Sequence, residues 1–262
     1  MTIVELTDRL LPLQDREIGR RMETILRKRG VRVEASKTVE RLEKAPEGVS
    51  ALLSDGTTVE AEAALVCAGR RPCTSDIGLE TAGVALERGR ILVDGHLETG
   101  AKGVYAIGDV IGEPMLAHAA SYEGIVACDN IAGRERTADY ASIPRCVYTD
   151  PEIATVGMGE EEARRTIAGA KVATFPYAAS GKANLIGKGD GFVKVIGDGS
   201  GRVLGVEIFG EGACDLIGEA SLAVANRMTV EEMARAVHGH PTISEVLGEA
   251  SLLFLGTPIH CL

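Results

Sequence analysis

Thr2-Ile-Val-Glu-Leu-Thr-Asp-Arg-Leu-Leu-Pro12, a helical stretch after it, and Val31-Arg-Val-Glu-Ala35 decide the fold. Thr2–Glu5 reads as the end of a strand and Asp8–Pro12 as a loop. Asp15 suits a helix cap, Ile18, Met22, Ile25 and Leu26 recur at helical spacing, and Gly30 supplies the stop. Val31–Ala35 reads as the next strand. Strand, helix and strand in so short a run make a βαβ unit, expected to be parallel and right-handed.

Beyond this unit, Thr38–Leu42, Val49–Leu53 and Thr57–Ala61 alternate apolar and polar residues, and Asp55-Gly56 marks a hairpin turn. Ala64-Leu-Val-Cys-Ala68 reads as a fully buried strand ending in Gly69-Arg-Arg-Pro72. Residues 73–103 are loop-rich. Gly103-Val-Tyr-Ala-Ile-Gly-Asp-Val110 reads as a second buried strand, with a helix over 117–131. Asp109 then lies just past the C-terminal end of a strand, where open α/β sheets bind ligands. An aspartate there equally suits a turn or a helix entry.

From Ile143 the pattern becomes α+β. Strands are expected at 145–148, 153–158, 171–175, 192–196 and 203–209, and helices at 213–226, 229–237 and 242–255. The glycines at 187–191 and 197–201 do not fit G-x-G-x-x-G and read as turns, not phosphate loops. The expected fold class is therefore α/β, with partial Rossmann-like nucleotide-binding domains followed by an α+β interface domain.

Composition narrows the function classes. A formal charge of −10 argues against nucleic-acid or anionic-membrane partners. No apolar run reaches the roughly 18–20 residues needed to span a bilayer. The six cysteines contain no C-x-x-C, a pattern expected of reduced thiols in a cytoplasm. Near the end stands His238-Gly-His-Pro-Thr-Ile-Ser-Glu245. An imidazole with a carboxylate partner can serve as an acid/base pair. Thr242-x-x-Glu245 also fits a capping box, so Glu245 could instead cap the last helix.

Several stretches in register resemble one family: Val4-Glu5 with Asp8–Pro12, Gly69–Pro72, Tyr105–Val110, Met115–His118, Thr149–Ile153, Asp190–Lys194 and His240–Glu245. The chain resembles the C-terminal part of the class I pyridine nucleotide–disulfide oxidoreductases, and most of all the dihydrolipoamide dehydrogenases. That resemblance implies three segments: a partial NAD-binding domain over 1–68, the last part of an FAD-binding domain over 69–138, and a dimerisation domain over 139–262. It assigns Glu5, Val39 and Gly69 to NAD. It assigns Asp109 to FAD, with Met115, Leu116, Ala117 and His118 beside the flavin. It makes His240 the acid/base and Glu245 its orienting partner. The implied partners are a second copy of the chain, with the active site shared across the homodimer, and a 2-oxo acid dehydrogenase complex. Within the resemblance, His240 and a tail whose cysteine is Cys261 alone favour the lipoamide enzymes over mercuric reductases, which stay as the alternative disulfide reductases.

Family chemistry also needs two Gly-rich loops and a C-x-x-x-x-C pair, all expected before Glu5. The acid of a Rossmann unit follows its glycines by about 20 residues. The expectation is therefore that this chain alone is inactive and works as part of a larger enzyme. The alternative is a stand-alone dimerisation or partner-binding module without catalysis.

Overall fold

The computed structural model describes residues 1–260; Cys261, used above to tell relatives apart, lies outside the described residues. The expected βαβ unit is present. Strand β1 (Thr2–Glu5) pairs in parallel with β2 (Arg32–Ala35), joined by α1 (Arg16–Lys28). The Asp15 carboxylate caps α1 by accepting from the Glu17 N–H, and Gly30 follows the helix at φ +80°. An antiparallel meander comes next: β3 (Val39–Ala45), β4 (Gly48–Leu53) and β5 (Thr58–Ala61).

Ala64–Ala68 is not the buried strand expected. It forms no strand, and Leu65 and Val66 are 89% and 73% exposed. A strand apolar on both faces is buried only between neighbours in a sheet covered on both sides. Among the described residues the parallel sheet holds only β1 and β2. The second expected buried strand fails for the same reason. Residues 103–107 make a single bridge, Glu98 to Tyr105, and Ile107 is exposed.

The contacts divide the chain into two compact units: residues 1–66 with 144 onward, and Cys67–Ile143. The segments expected as 1–68 and 139–262 thus fall largely within one unit. The smaller unit holds the short hairpin β6 (Leu86–Glu87) and β7 (Arg90–Ile91), a 3-10 turn Gly108–Ile111, and α2 (Ala117–Ile131). Val84, Ile91, Leu97, Ala106, Ile111, Val126 and Ala127 form its core.

In the larger unit the α+β region follows expectation closely. Its strands are β8 (Arg145–Val147), β9 (Ile153–Gly157), β10 (Lys171–Pro176), β11 (Phe192–Gly197) and β12 (Val203–Phe209). They form one antiparallel sheet in the order β10-β11-β12-β9-β8. Two short helices that the sequence reading left out, α3 (Glu160–Thr166) and α4 (Gly181–Leu185), lie between strands. Three more follow: α5 (Ala213–Ala225), α6 (Val230–Ala234) and α7 (Glu245–Phe254).

Alternation sorts the central strands onto two cores. Val193, Val195, Val206 and Ile208 face α5 and α7 in the main core. Phe192, Phe209 and Ile153 face the other way and pack on Ile18 and Met22 of α1. Each side of the sheet therefore gains a helical cover.

Candidate active site

The last helix starts later than its sequence pattern suggests. Helix α7 begins at Glu245, with Ser244 at its cap. Half of the expected capping box is made: Glu245 Oε2 accepts from the Thr242 N–H at 2.9 Å. The Thr242 hydroxyl instead donates to the Gly239 carbonyl at 2.6 Å. The other carboxylate oxygen of Glu245 lies 2.7 Å from Nδ1 of His240. Glu245 thus holds both the His240 ring and the Thr242 N–H, while the N-cap of α7 is Ser244, without a side-chain cap hydrogen bond.

The protonation pattern follows from the partner. A carboxylate accepts only, so the neutral His240 ring carries its proton on Nδ1 and leaves Nε2 as the basic nitrogen. The His240 side chain is 76% exposed, so the ring is open to solvent. The hydrogen bond from His240, and then that from Thr242, hold the Glu245 carboxyl below its ordinary range. A cis His240-Pro241 bond follows the imidazole. A histidine held by a carboxylate in this way can act as a general base.

The flavin-side candidates all lie in the smaller unit. Asp109 sits in the 3-10 turn Gly108–Ile111, and its carboxylate pairs with Arg70 at 3.2 Å. Arg70 also donates to the Met115 carbonyl. Met115 and Leu116 lead into α2, and Ala117 and His118 form its first turn. Leu116 stands at the N-cap of α2 and makes no side-chain cap hydrogen bond, and the positive end of the helix dipole lies at this entrance. Asp109, Arg70 and the α2 entrance thus form one connected patch. Gly69, at φ +97°, lies one residue before Arg70.

Sequence reading missed the residue beneath this patch. Glu123 is buried in α2; it accepts from the Gly108 N–H at 2.6 Å and from the Tyr140 hydroxyl at 3.0 Å. Burial, then the hydrogen bond to Glu123, pushes Tyr140 up to about 12. A signal was available: Glu123 falls on the same helical stripe as Ala119, Val126 and Ala127. A carboxylate on an apolar stripe needs a buried partner.

In the larger unit, Glu5 ends β1, and its carboxylate accepts from the N–H and the hydroxyl of Thr7, both at 2.8 Å. Val39 opens β3 and is exposed. Carboxylates such as those of Asp109 and Glu5 can accept hydrogen bonds from polyol or ribose hydroxyls. Neither Gly-rich stretch of the chain matches a dinucleotide phosphate loop. Among the described residues, no group of three or more His, Cys, Asp and Glu could hold a metal, and no helix is long and apolar enough to cross a membrane.

Comparison with known proteins gives a consistent result. The model of the pyridine nucleotide-disulphide oxidoreductases matches residues 1–124, and that of their dimerisation domain matches 143–251. A dihydrolipoyl dehydrogenase of Thermus scotoductus is 42% identical over all of this chain and 58% of its own length. One of Bacillus subtilis is 40% identical over 99% of the chain and 56% of its own length. LpdA of Mycobacterium tuberculosis superposes with a TM-score of 0.90 at 32% identity, over 95% of this chain and 55% of that one. The HOCl-induced flavoprotein disulfide reductase RclA of Escherichia coli also scores 0.90, at 30% identity, over 96% and 59%. The chain therefore spans a little over half the length of the relatives that it matches.

Proposed function

The chain belongs to the pyridine nucleotide-disulphide oxidoreductases, and on that premise we propose that it supplies the acid/base and dimerisation half of a dihydrolipoyl dehydrogenase. The observation that carries this is the 2.7 Å contact between His240 Nδ1 and Glu245, which leaves a basic Nε2 facing solvent. In the assembled enzyme His240 takes a proton from a substrate dithiol. The resulting thiolate is the form that attacks a disulfide. Glu245 fixes the ring and balances the imidazolium charge as it forms.

Bound FAD would carry the electrons onward to NAD. For FAD, Asp109 would hold polyol hydroxyls and the α2 entrance, Met115–His118, would lie beside the ring. For NAD, Glu5 would hold the adenosine ribose, with Val39 and Gly69 on the same cofactor. A carboxylate at the Glu5 position favours NAD, because it repels the 2′-phosphate of NADP. The region matching the dimerisation domain, 143–251, would join two copies so that one copy's His240 serves the other's disulfide. A 2-oxo acid dehydrogenase complex in the cytoplasm would be the setting.

The test has two arms. The purified chain is assayed for bound flavin and for NAD-linked oxidation of dihydrolipoamide, alone and with a polypeptide carrying the two Gly-rich loops and the cysteine pair. Little flavin and no turnover are expected alone, with turnover on complementation. His240→Gln is expected to abolish that restored activity, and unchanged turnover in the variant would refute the role of His240.

A further inference from the structure

Two residues before His240, a second imidazole is held by a second carboxylate. Nε2 of His238 lies 3.0 and 3.1 Å from the two carboxylate oxygens of Glu219, on α5. The His238 side chain is 11% exposed, although its neighbour Val237 is almost fully exposed. The other edge of the ring meets α7: a Cβ added to Gly248 would come within 3.0 Å of His238 Nδ1. The ring is thus wedged between α5 and α7, at a place where α7 carries no side chain.

The backbone around it is otherwise loosely held. The Ala236 N–H bonds back to Met233, and regular bonding resumes with the Val246 N–H to Ile243. Among the described residues, no backbone hydrogen bond ties 237–241 to another element. Glu245 holds the far end of the segment through His240 and Thr242. The near end is held by His238.

We propose that His238 and Glu219 are positioning residues for the acid/base His240: they anchor the turn so that His240 Nδ1 stays on Glu245 and Nε2 is presented. The proposal rests on the acid/base reading of His240. It makes a specific electronic statement, because carboxylates only accept. His238 must be the Nε2–H tautomer and His240 the Nδ1–H tautomer, so neighbouring histidines carry opposite protons. A cis peptide and a capping residue could shape the turn without His238. A merely space-filling His238 would leave the tautomer of His240 unchanged.

The experiment is long-range 1H–15N correlation NMR of the histidine rings in the full chain. It is run over a series of alkaline pH values, and the tautomers are read where the spectra show neutral rings. His240 in the parent chain is expected as Nδ1–H by about tenfold or more, as a hydrogen bond to a charged group should give. Glu219→Leu and His238→Leu are expected to drop that preference at least fivefold, towards a mixture. His238→Gln, which keeps an N–H for Glu219, is expected to restore most of it. Gly248→Ala, which pushes on the ring from α7, gives a second perturbation should the leucine variants fold poorly. An unchanged His240 tautomer in the folded variants overturns the anchoring proposal and leaves the acid/base reading standing. A parent chain without the Nδ1–H tautomer refutes the His240–Glu245 pair itself, and both proposals with it.

Discussion

Lys194 stands at the middle of β11, directly across from Glu207 of β12, and both side chains are almost wholly buried. Its ammonium group lies 2.7 Å from Glu160, 3.0 Å from Asp15 and 3.7 Å from Glu207. Asp15 caps α1 and Glu160 opens α3, so one cation joins the βαβ unit, a surface helix and the central sheet. Lys194→Met removes the cation and leaves the carboxylates facing one another. Breaking a buried pair from one side costs about 3–5 kcal/mol. Burial, then repulsion from Asp15, raises Glu207 to about 7 against the attraction of Lys194.

The sign of the pH dependence follows from that shift. A carboxyl whose folded pKa is raised takes up a proton on folding. Its contribution is whole below the unfolded value of about 4.5 and is lost as pH rises through about 7. Between about pH 5.5 and pH 8 the loss amounts to about 2 kcal/mol. Glu160 runs the other way. Burial raises it, but hydrogen bonds from Lys194 and Arg164 outweigh burial and hold it low, so its contribution fades only in acid, below the chosen window. Opening free energies from hydrogen exchange at the β11 and β12 amides measure this in the larger unit itself. Opening should become easier by about 2 kcal/mol across the window in the parent chain, and Glu207→Gln should abolish that change. Lys194→Met should cost more at pH 8 than at pH 5.5. A Glu207→Gln chain with the parent's pH dependence would show that the reasoning is wrong.

Two smaller predictions use other local features. Burial raises the thiol of Cys146, and burial with the neighbouring Cys146 pushes Cys214 up to about 12, whereas Cys67, Cys73 and Cys128 are exposed. A thiol-reactive disulfide reagent near neutral pH should therefore label those three first, and Cys146 and Cys214 more slowly, as mass spectrometry of peptides would show. Thr229 and Glu232 make a complete capping box on α6, so Thr229→Ala should cost about 1 kcal/mol in urea unfolding while Glu232→Gln costs less.

The sequence pattern was most legible where one segment holds its own signal. Asp15, the Ile18–Met22–Ile25 spacing and Gly30 gave α1, and the strand expected at 192–196 is β11. Ala64–Ala68 was not legible in the same way. Its apolar run states what the strand needs on both faces, but burial depends on neighbours that the run does not encode, and here Leu65 and Val66 face solvent. The site divides along the same line. His240 and Glu245 are close in sequence and met as their spacing implied. His238–Glu219 and Lys194–Glu160–Asp15 join elements distant in the chain, and no spacing rule reaches them. What the sequence does offer in such places is a misfit: a lysine inside the run Phe192–Ile196, and a glutamate on the buried stripe of α2. Each misfit marks a buried polar group that must have a partner. In both cases the partner is a group that links two elements, so these exceptions to the apolar pattern are the most informative guides to tertiary structure that this chain contains.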